Sequence, residues 1–300
     1  MAGLRDIKRR LTSVKNTKKI TYAMKLVSAA KLKRAQDAVT RSRDYTKSLK
    51  RLVSELTVEL GAQEFSHPLC QERAQVKNVA LIVVGGGRGL CGGFNTNVNR
   101  KIESFSRELK KEHPQATLKN FVIGKKPAEY FRRTNRSMAL SLEALSEDPT
   151  KWPLDEVLQK VEQQFLEGEV DKVYVMYTQF RSALNMSVEV ETLLPMAASA
   201  EDATEASFAG KHSLPGQAII EPNLESVFMA ALSRVFRVRL LQASLDSKAS
   251  EHASRMTAMD AATKNAGDLI KRLQLTYNKL RQAGITGELL DIIGGAEAIN

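Results

Sequence analysis

Residues 4–60 read LRDIKRRLTSVKNTKKITYAMKLVSAAKLKRAQDAVTRSRDYTKSLKRLVSELTVEL, without one glycine or proline. Large apolar residues recur at helical spacing, first as Leu4, Ile7, Leu11 and Val14, then as Ile20, Met24 and Val27. That spacing predicts a single amphipathic helix, about 85 Å long at 1.5 Å per residue. Gly61 and the run Phe65-Ser-His-Pro68 are its stop signals. A helix this long is not built to be buried in a small core, so it needs a partner elsewhere.

The partner is at the other end. After Pro222 a second proline-free stretch carries Leu224, Val227, Ala231, Phe236, Val238, Leu241 and Leu245, with only Gly267, Gly284, Gly287 and Gly294-Gly295 interrupting it. It predicts a second helix with a looser, glycine-bearing end. The middles of both stretches are rich in small residues: Ser28-Ala-Ala30, Ala35 and Ala38 in one, Ala243, Ser247, Ala249, Ala253, Ala258 and Ala262 in the other. Small side chains let two backbones approach closely, which predicts an antiparallel coiled coil with a narrow seam, though not a strict heptad. The second helix is the longer, so the C-terminal end should overhang by about 25 Å.

Between the helices the periodicity changes. Val79–Val84, Leu118–Ile123, Lys172–Phe180 and Ser187–Leu194 read as strands, and Asn95–Lys111, Pro127–Arg133 and Leu154–Leu166 as helices. Alternation of this kind predicts an α/β layer domain. Residues 197–218, rich in Ala, Ser, Glu and Gly, read as a mobile loop. The fold class is therefore α/β, a long antiparallel coiled coil of N- and C-terminal helices flanking a central Rossmann-like α/β domain. The divisions are 1–60, 61–220 and 221–300.

Charge is unevenly spread. Residues 1–60 carry 16 of the 45 Lys and Arg but only 5 of the 34 Asp and Glu, so the whole net charge of +11 resides there. Such a helix seeks an acidic partner. Nucleic acid is one reading, because Lys15, Lys18, Lys19, Lys25, Lys31, Lys33 and Arg34 could meet phosphates, but only Tyr22 and Tyr45 are available to stack on bases. The longest aliphatic run, Val79–Val84, is far short of the roughly 20 residues needed to cross a bilayer. Cys70 and Cys91 form neither a disulfide framework nor a metal site, and point to a reducing, intracellular setting. The basic, amphipathic start imitates a presequence, but the helical pattern continues past presequence length with Asp6 inside it, so Met1 is read as the start of the working protein.

Catalytic signals are thin. Gly87, Gly89 and Gly92 satisfy G-x-G-x-x-G after a strand, which suggests a dinucleotide site. The acidic residue that should follow the second strand is missing, since that strand ends Ile123-Gly124-Lys125-Lys126. The alternative is a tight backbone corner. His67, His113, His212 and His252 are scattered and are read as solvated or loop histidines. Glu288 and Asp291 share a helix face, as many exposed pairs do. A nucleotide-binding α/β enzyme and a basic nucleic-acid-binding coiled coil stay open on these grounds.

A family resemblance then enters. The start, Met1-Ala-Gly-Leu-Arg-Asp-Ile-Lys-Arg-Arg through Lys31, closely resembles the gamma subunits of rotary ATP synthases. So do the end, Ile285-Thr-Gly-Glu-Leu-Leu-Asp-Ile-Ile-Gly-Gly-Ala-Glu-Ala298, and the middle segment Arg88-Gly-Leu-Cys-Gly-Gly93. The resemblance implies a central rotor shaft that turns with the c-subunit ring inside a ring of alpha and beta subunits, with epsilon beside the α/β domain. It implies no catalytic, cofactor-binding or metal-binding residue, no nucleic acid and no transmembrane segment of the chain's own. The implied place is peripheral, at the cytoplasmic face of the bacterial inner membrane. Arg281, Gln282, Thr286 and Glu288 match positions that hydrogen-bond a beta-subunit loop, and Met24 matches the position facing that subunit's acidic lever. Lys8, Arg9, Lys18, Lys19 and Lys25 would then attract the lever while steric contact passes the torque.

Overall fold

The computed structural model describes residues 2–59, 68–73, 75–196, 221 and 223–297; the stop signals at 61 and 65–67, His67, His212 and the loop read at 197–218 lie outside them. Helix α1 covers Ala2–Glu59. Five strands follow, β1 (Asn78–Val84), β2 (Thr117–Ile123), β3 (Leu140–Leu142), β4 (Lys172–Phe180) and β5 (Met186–Leu194). Between them lie α2 (Phe94–Glu112), α3 (Lys125–Arg133) and α4 (Leu154–Leu166), and α5 (Leu224–Glu297) closes the chain. The α5 helix passes through Gly267, Gly284 and Gly287 without a break, so these glycines do not loosen it as their low helix propensity predicts. The 74-residue helix offsets a cost of about 1 kcal/mol at each.

By their contacts the residues fall into two compact units: Lys31–Ser254, and the stretch up to Ala30 with that from Arg255 onward. The larger unit holds the sheet, ordered β3-β2-β1-β4-β5. The first four strands are parallel and β5 returns antiparallel along β4. All six residues Val79–Val84 are buried, as a central parallel strand requires. They divide by parity. Val79, Leu81 and Val83 meet Val98, Ile102 and Phe105 of α2 and Phe131 of α3. Ala80, Ile82 and Val84 face a core containing Val157, Val161 and Phe165 of α4 and Phe236, Leu240 and Ala243 of α5. The N-terminal end of β1 is pinned by Asp171, whose carboxylate accepts from the backbone N–H of Lys77 at 2.7 Å and of Asn78 at 2.8 Å. At the far side of this unit Leu56 of α1 packs with Phe228, Ala231 and Leu232 of α5.

The smaller unit is an antiparallel helix pair. Lys25 meets Asp260 and the Thr21 and Thr263 hydroxyls lie 2.8 Å apart, while Lys18 lies over Gly267, where a Cβ would come 3.4 Å from its Nζ. Each step back along α1 is matched by a step forward along α5. The first residues of α1 therefore reach α5 near Gly284, and Ile285–Glu297 extends about 20 Å beyond. On α1 the inward positions Leu4, Ile7, Leu11, Val14, Thr21, Lys25, Ser28, Leu32, Ala35 and Val39 are buried or half-buried. With Lys18 included they follow alternating steps of three and four, the regular heptad that the apolar pattern alone does not display, because Lys18, Thr21, Lys25 and Ser28 occupy seam positions. Ile20 and Val27 instead stand exposed, at 60% and 55%.

Candidate functional site

The glycine-rich turn after β1 is a backbone corner. Gly85 donates its N–H to Ile123 O at 2.9 Å, and Lys126 donates to Gly86 O at 2.9 Å, so the loops after β1 and β2 lie backbone against backbone. A Cβ on Gly124, whose φ is 116°, would stand 2.6 Å from Gly85 O, and one on Gly85 would stand 2.8 Å from the Pro127 ring. At Gly87 and Gly89, two of the motif positions, a Cβ would meet nothing within 4 Å.

Open α/β sheets bind ligands outside the carboxyl ends of the strands where strand order reverses, here between β1 and β4. That crevice is filled by α5. Ser247 Oγ donates to Val84 O at 3.2 Å, Ser250 Oγ to Thr178 O at 3.1 Å, and Ser254 Oγ to Cys91 O at 2.6 Å. Ser247, Ala249, Ser250 and Ala253 are all buried. The small residues that the sequence assigns to a helix–helix seam thus also let α5 press onto the ends of β1 and β4. The space directly over the carboxyl ends of β1 and β4 is therefore occupied by the chain itself.

His252 is not solvated, as its scattered placement suggests. It is 3% exposed, and its Nε2 lies 2.8 Å from Glu147 Oε1. His113, half-buried, caps the end of α2. Among the described residues no group of His, Cys, Asp or Glu could hold a metal ion.

The partner-contact residues named by the sequence fall in the helix pair. Lys19 is exposed, as is Lys18 at the seam edge. Arg9 is exposed with Asp6 3.8 Å away. Met24 is half-buried, while Ile20, Tyr22, Leu26 and Val27 of the same stretch are exposed. Lys25 is committed within the molecule: its Nζ donates to Asp260 Oδ1 at 2.6 Å, and Lys264 reaches the other oxygen at 2.8 Å. The hydrogen bond from Lys25, then that from Lys264, holds the Asp260 carboxyl down at about 2. Arg281, Gln282, Thr286 and Glu288 are all exposed. Arg281 lies 21 residues past Asp260, about 30 Å along α5. The nine residues therefore form two bands, a cationic one near Lys18–Lys25 and a terminal one at 281–288, with Arg9 between.

Beyond the last α1 partner, Ile285, Leu289, Leu290, Ile292 and Ile293 are exposed by between 51% and 70%. Sequence reasoning found these tip residues but not the outward arc of Ile20, Tyr22, Leu26 and Val27. The signal for that arc is the mismatch between apolar positions and heptad positions.

A sequence model of the family described as ATP synthase matches residues 3–299. The chain is 41% identical to the ATP synthase gamma chain of Pelotomaculum thermopropionicum over 299 residues, covering all of both chains. In shape it is similar to a chain of the Euglena gracilis mitochondrial ATP synthase in a structure of OSCP, F1 and c-ring, with TM-score 0.63, 20% identity, and 99% and 95% of the two chains covered. It is also similar to a chain of the Tetrahymena thermophila mitochondrial ATP synthase central stalk and c-ring, with TM-score 0.56, 22% identity, and 81% and 99% covered. A filled ligand crevice, a basic helix pair ending in a lone apolar-studded helix, and full-length identity to a curated relative lead to one assignment: the chain belongs to the ATP synthase gamma chain family.

Proposed function

We propose that the chain is the central-stalk subunit of a rotary ATP synthase, turning with the c ring inside the alpha and beta subunits and coupling proton flow to ATP synthesis or hydrolysis. The observation that carries this reading is the tip. Side chains such as Leu290 at 64% and Ile292 at 70% exposure are costly in water. They suit a sleeve that must guide a turning helix through weak, non-directional contact. The chain contributes no catalytic residue, and ATP chemistry belongs to the beta subunits. No described helix is long and apolar enough to cross a membrane. The family likeness places the chain, in this reading, peripherally at the cytoplasmic face of the bacterial inner membrane, with epsilon beside its α/β unit.

Within this reading Lys8, Arg9, Lys18, Lys19 and Lys25 supply a field that attracts the acidic lever of the beta subunit. Lys25 also ties the helix pair through Asp260. Met24 and the outward arc around Ile20 and Val27 take the steric load, and Arg281, Gln282, Thr286 and Glu288 meet a beta-subunit loop near the top. Affinity purification from the native membrane should bring down alpha, beta, epsilon and c subunits, and a probe on the α/β unit should rotate when ATP is added. A chain that purifies without them, or a probe that stays still in an ATP-hydrolysing complex, refutes the assignment.

A further inference from the structure

A shaft that carries torque needs both helices fixed against rolling where they leave the sheet. The buried face of α5 there includes the small residues Ala243, Ser247, Ala249, Ser250 and Ala253 beside the larger Leu245, Asp246, Glu251 and His252. The small ones permit close approach but offer few knobs to resist a roll. A charged contact at a greater radius acts against a roll with a longer lever arm.

Glu147 is where they converge. Lys31 of α1 reaches Glu147 Oε2 at 3.1 Å. From α5, Lys248 reaches Oε1 at 3.4 Å and His252 Nε2 reaches it at 2.8 Å. Lys248 also lies 3.4 Å from the buried Glu251. The side chains of Lys248 and His252 are 12% and 4% exposed, so two of the three partners are held away from water. Burial alone would push the Glu147 carboxyl up. The Lys248 charge, the Lys31 hydrogen bond and the His252 ring outweigh it and bring it down to about 2.

The loop bearing Glu147 is braced to the core. Trp152 Nε1 donates to Ser146 O at 2.8 Å, and Ser146 Oγ donates to Asp148 O at 2.8 Å. Asp148 accepts from the Thr150 N–H at 3.0 Å, and the Trp152 ring is part of the core that holds α4. One carboxylate on a stiff bracket therefore grips one helix through Lys31 and the other through Lys248 and His252. We propose that Glu147 is a positioning residue for torque transfer, a clamp that fixes both terminal helices rotationally to the α/β unit. The inference rests on the stalk reading above.

The test uses the complete membrane-bound complex in sealed vesicles. Glu147→Gln keeps the shape and removes the charge, Glu147→Asp keeps the charge within reach of the lysines, and Lys31→Met removes the grip on α1 from a partly exposed position. ATP hydrolysis without an opposing gradient should stay at the wild-type rate in all three. Protons moved per ATP should fall in Glu147→Gln, and the loss should grow as an opposing gradient is imposed. Glu147→Asp should recover most of the coupling, and Lys31→Met should lose part of it. A purely structural role would lower assembly and melting temperature without this dependence on load. Wild-type coupling in Glu147→Gln at every gradient overturns the clamp, as does Glu147→Asp failing equally. If Glu147→Gln does not assemble, wild-type coupling in Lys31→Met overturns it. A wild-type complex in which a probe on this chain does not rotate refutes the stalk reading itself, and the clamp with it.

Discussion

Ser250 offers a measure of how hard α5 presses on the sheet. It is wholly buried, and its hydroxyl donates to Thr178 O at 3.1 Å. Ser250→Ala removes that bond and little else. At this length for an O–H donor the loss is about 0.5–1 kcal/mol, which for a unit of this size lowers the melting temperature by roughly 1–4 °C. Ser250→Leu adds bulk where the helix backbone lies against the ends of β1 and β4. Overpacking costs about 1–3 kcal/mol, and the lost hydrogen bond comes on top. The sum of about 1.5–4 kcal/mol predicts a drop of roughly 3–16 °C. Thermal unfolding of the purified chain, followed by calorimetry at matched concentration, separates the two variants. If leucine costs no more than alanine, α5 does not fill the crevice tightly.

Three further outcomes follow from the same geometry. Gly124→Ala sets a Cβ at positive φ against a backbone oxygen 2.6 Å away, so it should cost about 3 kcal/mol or more, read by denaturant unfolding; a loss under about 1 kcal/mol would mean the corner relaxes freely. The folded Glu147 carboxyl is held at about 2, below its ordinary 4.5, so its contribution is complete above pH 4.5 and lost as pH falls toward 2. Half exposed, it is screened to about 1 kcal/mol, and the stability gap between wild type and Glu147→Gln should close across that window; a gap undiminished at pH 2 contradicts the assignment. Ile292→Ser should leave the unfolding of the isolated chain unchanged within about 0.5 kcal/mol, because the side chain is 70% exposed; a larger loss would show that the tip folds back on the molecule.

The sequence reveals elements in proportion to how much apolar periodicity they carry. Leu154–Leu166 and Lys172–Phe180 are legible to the residue, and β1 is marked by its run of β-branched side chains. The strand Leu140–Leu142 is not, because three residues paired only to β2 make no pattern. The seam of α1 is hidden for a different reason. Thr21, Lys25 and Ser28 hold inward positions through a hydroxyl pair, an ion pair and close packing, and no apolar template looks for them there. The tip residues were readable because they resemble a family's terminal segment. Glu147 was not, because its partners stand more than a hundred residues away in both directions of the chain and only tertiary structure brings them together.

The filled crevice also changes what the doubly wound sheet is for. In an enzyme of this architecture the switch point receives a guest that arrives, reacts and leaves. Here the guest is residues 247–254 of the same chain, present at the high effective concentration that covalent tethering confers. As part of the chain, it does not arrive from solution. A surface that serves exchange in other proteins of this architecture is here closed by the chain itself.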